Sequence, residues 1–223
     1  MQFRHELKHE ISLGDMMAIR ARMRAICETD PHAVDGKYFI RSLYFDNPED
    51  RALREKLDGI RDREKFRIRF YNHDPSVIHL EKKVKRDSLG YKQTASLTRD
   101  EAQAIADGDI EWAKDDARPL LRELYAKARY EGFGAKTVVD YMREPFIFRA
   151  GNVRVTLDYN IRTGLYSKDF LNPELPTLPI VGDPIIMEVK WDDYLPSIIR
   201  DAVRLNGRRS AAFSKYAACR AFD

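Results

Sequence analysis

Eight stretches of this chain alternate charged and apolar residues with a period of two, and that alternation constrains the fold more than any other feature. Successive side chains of a β-strand point to opposite faces, so each stretch builds a strand with one apolar and one charged face. The stretches are residues 3–11, 37–46, 65–72, 77–85, 91–96, 136–148, 153–161 and 185–191. Arg4, Glu6 and Lys8 share a face of the first; Arg67 and Arg69 oppose Phe66, Ile68 and Phe70 in the third. Glu81, Lys83 and Lys85 lie opposite Leu80 and Val84, and Lys92 shares a face with Thr94. Tyr141 goes with Arg143, Arg154 with Thr156 and Asp158, and Glu188 with Lys190, the last pair opposite Met187, Val189 and Trp191.

Helix signals fall between the strands. Ser12 with Asp15 and Thr98 with Glu101 have the spacing of capping boxes, the first predicting a helix to about Glu28. Pro48 suits a first helical position, with a stop at Gly59, and Pro119 opens a helix with Leu120, Leu121, Leu124 and Ala128 on one stripe. Residues 194–205 and 210–221 read as two terminal helices divided near Gly207, and 164–184, with four prolines, as an extended loop. Asp87-Ser88-Leu89-Gly90 has the composition of a hairpin turn. These elements predict a single α+β domain over residues 1–223 with a mainly antiparallel sheet.

The chain holds 39 Lys and Arg against 36 Asp and Glu, a near-balance that excludes bulk-charge coating of nucleic acid. Cys27 and Cys219 have no partner spacing for a disulfide framework or a zinc knot. The polar first ten residues carry no signal-peptide pattern, and no window approaches the roughly 18–20 apolar residues of a membrane span, so a cytoplasmic setting is expected. His5-Glu6-Leu7-Lys8-His9 matches the zinc-protease pattern HExxH, but that chemistry needs a helix and these residues alternate as a strand. No GxxxxGK[ST] loop is present, so any nucleotide must be held by side chains.

A charged strand face is ordinarily a solvated one. Here Arg and Lys recur at nearly every slot with Glu or Asp beside them, and there are enough helices to cover the outside of a barrel with a polar, basic interior. Arg offers a fixed fork of donors to phosphate oxygens and Lys a point charge, while carboxylates among them suit a divalent cation that bridges to the phosphates. That mixture predicts a polyphosphate-binding cavity.

With these residues in hand, the chain resembles the polyphosphate-polymerase domain of the vacuolar transporter chaperone (VTC) family, one of the triphosphate tunnel metalloenzymes. The resemblance rests on eight ordered segments: Arg4–Lys8, Ser42–Asp46, Lys65–Arg69, Leu80–Lys83, Tyr141–Arg143, Val153–Asp158, Met187–Lys190 and Phe213–Tyr216. It implies a tunnel of antiparallel strands covered by helices, and transfer of the γ-phosphate of ATP to a growing inorganic polyphosphate with Mn²⁺ or Mg²⁺. Carried over by position, Lys8, Arg67, Arg69, Lys83, Lys92, Arg143, Arg154, Ser214 and Lys215 are implied phosphate ligands, joined by Tyr141 and by Lys190 on the Glu188 face. Glu188 is the implied metal ligand, with Glu6, Glu81 and Asp158 as weaker candidates. Arg4 stands where hydrolase and cyclase relatives have the first Glu of Glu-x-Glu-x-Lys, which favours the polymerase-like subgroup. A tripolyphosphatase of the same fold, a binding-only module and a membrane partner stay open, as does the oligomeric state.

Overall fold

The computed structural model describes residues 4–86, 89–205 and 212–221. Two compact units emerge, interleaved along the chain: the first takes residues 1–39, 141–161 and 179–213, the second 40–140, 162–178 and 214–223.

In the first unit, β1 (His5–Ile11) pairs antiparallel with β10 (Ile185–Trp191), and β10 with β8 (Val153–Thr163). The outer part of β7 (Gly134–Phe148) follows in the strand order, and the short β2 (Glu28–Thr29) pairs with its Phe146 and Ile147. Helix α1 (Leu13–Ile26) opens on the predicted capping box: Ser12 Oγ accepts from the Asp15 amide, and the Asp15 carboxylate accepts from the Ser12 amide. It buries Met16, Ile19 and Met23 with Ile11, Val155, Leu157, Met187, Val189 and Ile199. These are the apolar faces that the alternation assigned to the core.

The second unit orders the start of β7, then β3 (Tyr38–Asp46), β4 (Arg63–Tyr71), β5 (Asp74–Arg86) and β6 (Leu89–Leu97). Helices α3 (Arg99–Asp107) and α4 (Pro119–Glu131) bury Ala102, Ile105, Leu120, Leu121 and Leu124 against Phe66, Ile68, Phe70, Ile78 and Leu80. Thr98 and Glu101 form the second capping box, and Gly108, at a φ of 91°, supplies the left-handed residue that ends α3. The short strand β9 (Leu178–Pro179) lies in the proline-rich segment.

All eight predicted strands are present, while three helices differ from expectation. Helix α2 begins at Arg51 and not at Pro48, running to Leu57. Its free amides are met from outside: Asp46 accepts from the amides of Ala52 and Leu53, and Asn47 Oδ1 from that of Arg51. Helix α5 is Ser197–Ala202, shorter than 194–205, because Pro196 disfavours a helical residue before it. Helix α6 is Lys215–Cys219, capped by Ser214 Oγ on the Ala217 amide; the predicted start at Ser210, like Gly207, lies outside the described residues. So do Asp87 and Ser88 of the predicted turn, whose flanks Arg86 and Leu89 pair. A second hairpin, not anticipated, joins β4 to β5 through Asn72 and His73, both at positive φ as a tight hairpin turn requires.

Candidate functional site

The charged strand faces form one cluster in each unit. In the first, antiparallel register sets Lys8 opposite Glu188 and Glu188 opposite Thr156, and sets Glu6 opposite Lys190 and Lys190 opposite Arg154. Acid and base therefore alternate along β1 and β10 and also across them. Lys8 Nζ lies 2.8 Å from Glu6 and 3.5 Å from Glu188; Lys190 Nζ lies 2.9 Å from Glu188 and 3.8 Å from Glu6. Arg143 donates from Nε and Nη2 to the two oxygens of Asp158 at 2.6 and 2.7 Å, and its Nη2 is 3.6 Å from Glu188. Tyr141 is buried beneath that guanidinium, with the ring centroid 5.4 Å away.

Asp158 and Glu188 are 0% and 5% exposed, while Glu6, Lys8 and Lys190 are half-buried, so the cluster reaches from the interior to its rim. Burial alone would lower the Lys8 pKa, but Glu188, Glu6 and Asp158 outweigh it and hold the ammonium charged far into the alkaline range. Carboxylates Glu6, Asp158 and Glu188 thus stand against cations Lys8, Arg143 and Lys190, and the cluster is balanced. Arg154 points its hydrogen bonds elsewhere, from Nη2 to Asp30 at 3.0 Å and to the Tyr38 hydroxyl.

The second unit is arranged differently. Register sets Tyr44 opposite Arg67 and Arg67 opposite Glu81; one step along, Lys65 lies opposite Lys83 and Lys83 opposite Lys92. Like charges directly opposite across strands are destabilising, so a row of three lysines needs a counter-charge. Glu81 supplies part of it: it takes Arg67 Nε at 2.8 Å, Lys92 Nζ at 2.8 Å, and has Arg69 Nη1 at 3.9 Å. Burial would raise the Glu81 pKa, but Arg67, Arg69 and Lys92 drive it far below the usual carboxylate range. On these strand faces Lys65, Arg67, Arg69, Lys83 and Lys92 gather around Glu81. From α6, Ser214 accepts from Lys65 Nζ at 3.0 Å while capping its own helix, and Lys215 is that helix's first residue.

Three residues of this cluster were not singled out from the sequence. The Tyr44 hydroxyl accepts from Arg67 Nη1 at 2.9 Å, Ser42 Oγ accepts from Arg69 Nε at 2.9 Å, and the Tyr44 and Tyr216 rings stack with centroids 5.2 Å apart. Ser42 and Tyr44 alternate along β3 as Arg67 and Arg69 do along β4, and that shared period was the available signal. A cavity of about 310 Å³ elsewhere in this unit, lined in part by Arg51, Glu55, Glu64, Lys127 and Glu131, touches none of these residues, and those five side chains pair with one another.

Among the described residues, no group of three or more His, Cys, Asp and Glu side chains is arranged to hold a metal by itself. Mg²⁺-like ions are commonly held by one or two carboxylates together with substrate phosphates and water. Glu188 and Glu6 fit that donor set, and the buried Thr156 hydroxyl, across the strand from Glu188, has no hydrogen-bond partner among the described residues. Glu81 is ringed by Arg67, Arg69 and Lys92, as Glu188 and Glu6 are by Lys8, Lys190 and Arg143, so a divalent cation at either cluster would compete with those groups. The HExxH residues lie on β1, where His5 stacks on Trp191, and not on a helix. Burial pushes the thiols of Cys27 and Cys219 up to about 11 and about 12, so neither is a nucleophile near neutrality. Among the described residues no helix is long and apolar enough to cross a membrane.

Antiparallel strands with charged faces and helices packed on their apolar faces define the α+β fold of the triphosphate tunnel enzymes, and solved structures of that kind share it. They include a candidate adenylate cyclase of Bacillus halodurans, at 11% identity over 90% of this chain and 86% of that one, with a TM-score of 0.55. A candidate adenylyl cyclase from Hippeastrum with a dominant triphosphatase activity aligns over 98% and 95% at 12% identity, with a TM-score of 0.53. A protein of Pyrococcus horikoshii aligns over 96% and 98% at 13% identity, with a TM-score of 0.51. No curated protein matches the chain in sequence. The VTC domain model matches residues 3–222, and the chain belongs to that family.

Proposed function

We propose that this protein is a metal-dependent polyphosphate polymerase, acting as one functional domain, that transfers the γ-phosphoryl group of ATP to the end of an inorganic polyphosphate. The terminal oxygen of the polyphosphate forms the new P–O bond as the bond between the γ-phosphorus and the β–γ bridging oxygen breaks, and ADP leaves with that oxygen. The observation that carries the reading is the Lys65–Lys83–Lys92 row beside Arg67 and Arg69, five cations gathered by strand register around Glu81 and suited to a chain of phosphates. Membership of the VTC family supports it.

Such a transfer needs positioning and charge neutralisation more than covalent help. Arg67, Arg69, Lys83, Lys92 and Lys215 would orient phosphates, with Ser214 as a hydroxyl donor. Lys8, Arg143, Lys190, Arg154 and Tyr141 would serve the first unit. Glu188 and Glu6 would hold Mn²⁺ or Mg²⁺, which neutralises charge on the transferring group. The balanced cluster becomes a net anion site only when such an ion offsets its carboxylates, which ties phosphate binding there to the metal.

Purified protein incubated with ATP, Mn²⁺ and a short polyphosphate primer is expected to release ADP and lengthen the primer. The triphosphatase activity of the Hippeastrum relative favours one second reading, hydrolysis of a triphosphate in the same fold. Free phosphate without chain growth selects that reading, and chain binding without either product sinks both.

A further inference from the structure

The Tyr44 hydroxyl has an unusual position for a buried phenol. Its ring is 7% exposed, stacked on Tyr216, whose own hydroxyl is bound to Asp46 at 2.9 Å. Its oxygen accepts from Arg67 Nη1, and among the described residues nothing accepts the proton it carries. Arg67 is held on its other edge by Glu81, so phenol and carboxylate grip one guanidinium from two sides. The groups around the phenol are Arg67, Arg69 and Lys65 from β4 and Tyr216 from α6, with Glu81 of β5 beyond Arg67. On β7, Asp140 and Lys136 are committed to Arg41 and Asp50.

We propose that Tyr44 is a further anion-binding residue of the second unit: its hydroxyl donates to an oxygen of a phosphate held by Arg67 and Arg69, and the site weakens when that proton is lost. This deepens the polyphosphate reading and rests on it. A neutral phenol beside two guanidinium groups adds a donor; a phenolate there is a built-in competitor for the same cations. Burial alone would raise this phenol, but Arg67, Arg69 and Lys65 outweigh it and bring it down to about 8, so the competitor forms within reach of neutrality. Bound phosphate must push that ionisation upward again, by linkage.

The test uses the whole protein and a long-chain polyphosphate, whose internal phosphates hold no titratable proton near neutrality. Calorimetric affinities are compared for the parent and Tyr44→Phe, which keeps the stacked ring. At neutral pH the variant is expected to bind roughly tenfold more weakly, the scale of one hydrogen bond to a charged group. The parent's affinity is expected to fall as pH rises through about 8, while the variant's stays level over that interval and the two curves converge. The tyrosinate absorbance of the parent is also expected to rise in that interval, and bound polyphosphate to delay the rise. Parent-like affinity and pH dependence in Tyr44→Phe overturn this inference alone. Absence of polyphosphate binding by the parent overturns the functional reading with it.

Discussion

Arg143 and Arg67 are the same residue type on charged strand faces, yet their surroundings give them different chemistry. Arg143 spends its Nε and Nη2 on Asp158, which is fully buried, and burial opposes its charge until Asp158, Tyr141 and Glu188 raise its pKa well above the normal value. It is bound as firmly to structure as to any ligand. Arg67 shares Glu81 with Arg69 and Lys92 and gives its other edge to the neutral Tyr44 hydroxyl. Glu188 separates the two roles experimentally. In Glu188→Gln one negative charge leaves the balanced cluster, while Lys8 and Lys190 remain. Metal-dependent turnover is expected to drop about 100-fold or more. Polyphosphate binding without metal is expected to tighten, since the lysines face one carboxylate fewer. ADP release with ATP and Mn²⁺ measures the first, a calorimetric polyphosphate titration without metal the second, and unchanged values in both would remove Glu188 from the site.

At the scale of elements, Asp46 ties α2 and α6 to the end of β3. Its two oxygens accept from the amides of Asn47, Ala52 and Leu53 and from the Tyr216 hydroxyl, and the side chain is 1% exposed. Asp46→Ala strands several of these donors at once, so a loss of about 2–4 kcal/mol is expected in urea unfolding, against about 1 kcal/mol for the cap change Thr98→Ala. Equal losses would show that Asp46 is an ordinary cap. The sequence contained the Ser12 and Thr98 boxes because their partners lie three residues away. It did not contain the start of α2, because an acceptor that precedes its helix by several residues and also takes a hydroxyl from Tyr216 leaves no local pattern. The β4–β5 hairpin escaped for a related reason: Asn72-His73 lacks the glycine that usually marks a turn with two positive φ values.

Over the whole molecule, the pairing of carboxylates with cations makes stability depend on pH in a definite direction. Glu81 is depressed far below its ordinary value by Arg67, Arg69 and Lys92 despite its burial, and Glu64 is lowered by Lys127 and Lys82 against the same opposing effect. A carboxylate with a lowered folded-state pKa contributes stability above its unfolded value of 4.5 and loses it as pH falls further. Unfolding free energy is therefore expected to be level from neutrality to about pH 5 and to decline steadily below it. Glu81→Gln should flatten that decline when urea midpoints are compared at several acid pH values, and a slope identical to the parent's would remove Glu81 as a source. Lys8 works at the other end: its raised pKa keeps its contribution intact below 10.5, so it plays no part in acid loss.

The sequence by itself determined which residues share a face, where the core lies and how two helices begin, because strand alternation and capping boxes are properties of backbone geometry over a few residues. From that alternation Arg67, Arg69, Lys83, Glu6, Lys8, Glu188 and Lys190 could be placed on charged faces before any pairing was known. Only the tertiary structure decided who meets whom. Cross-strand register joins residues far apart in the chain, and it set Lys65, Lys83 and Lys92 in one row, gave Arg143 to Asp158 and Arg154 to Asp30, and put Tyr44 on Arg67. A charge's partner, more than its identity, fixes whether it is compensated within the fold or left to bind an anion. That is why one cluster alternates acid with base and the other sets three lysines in a row.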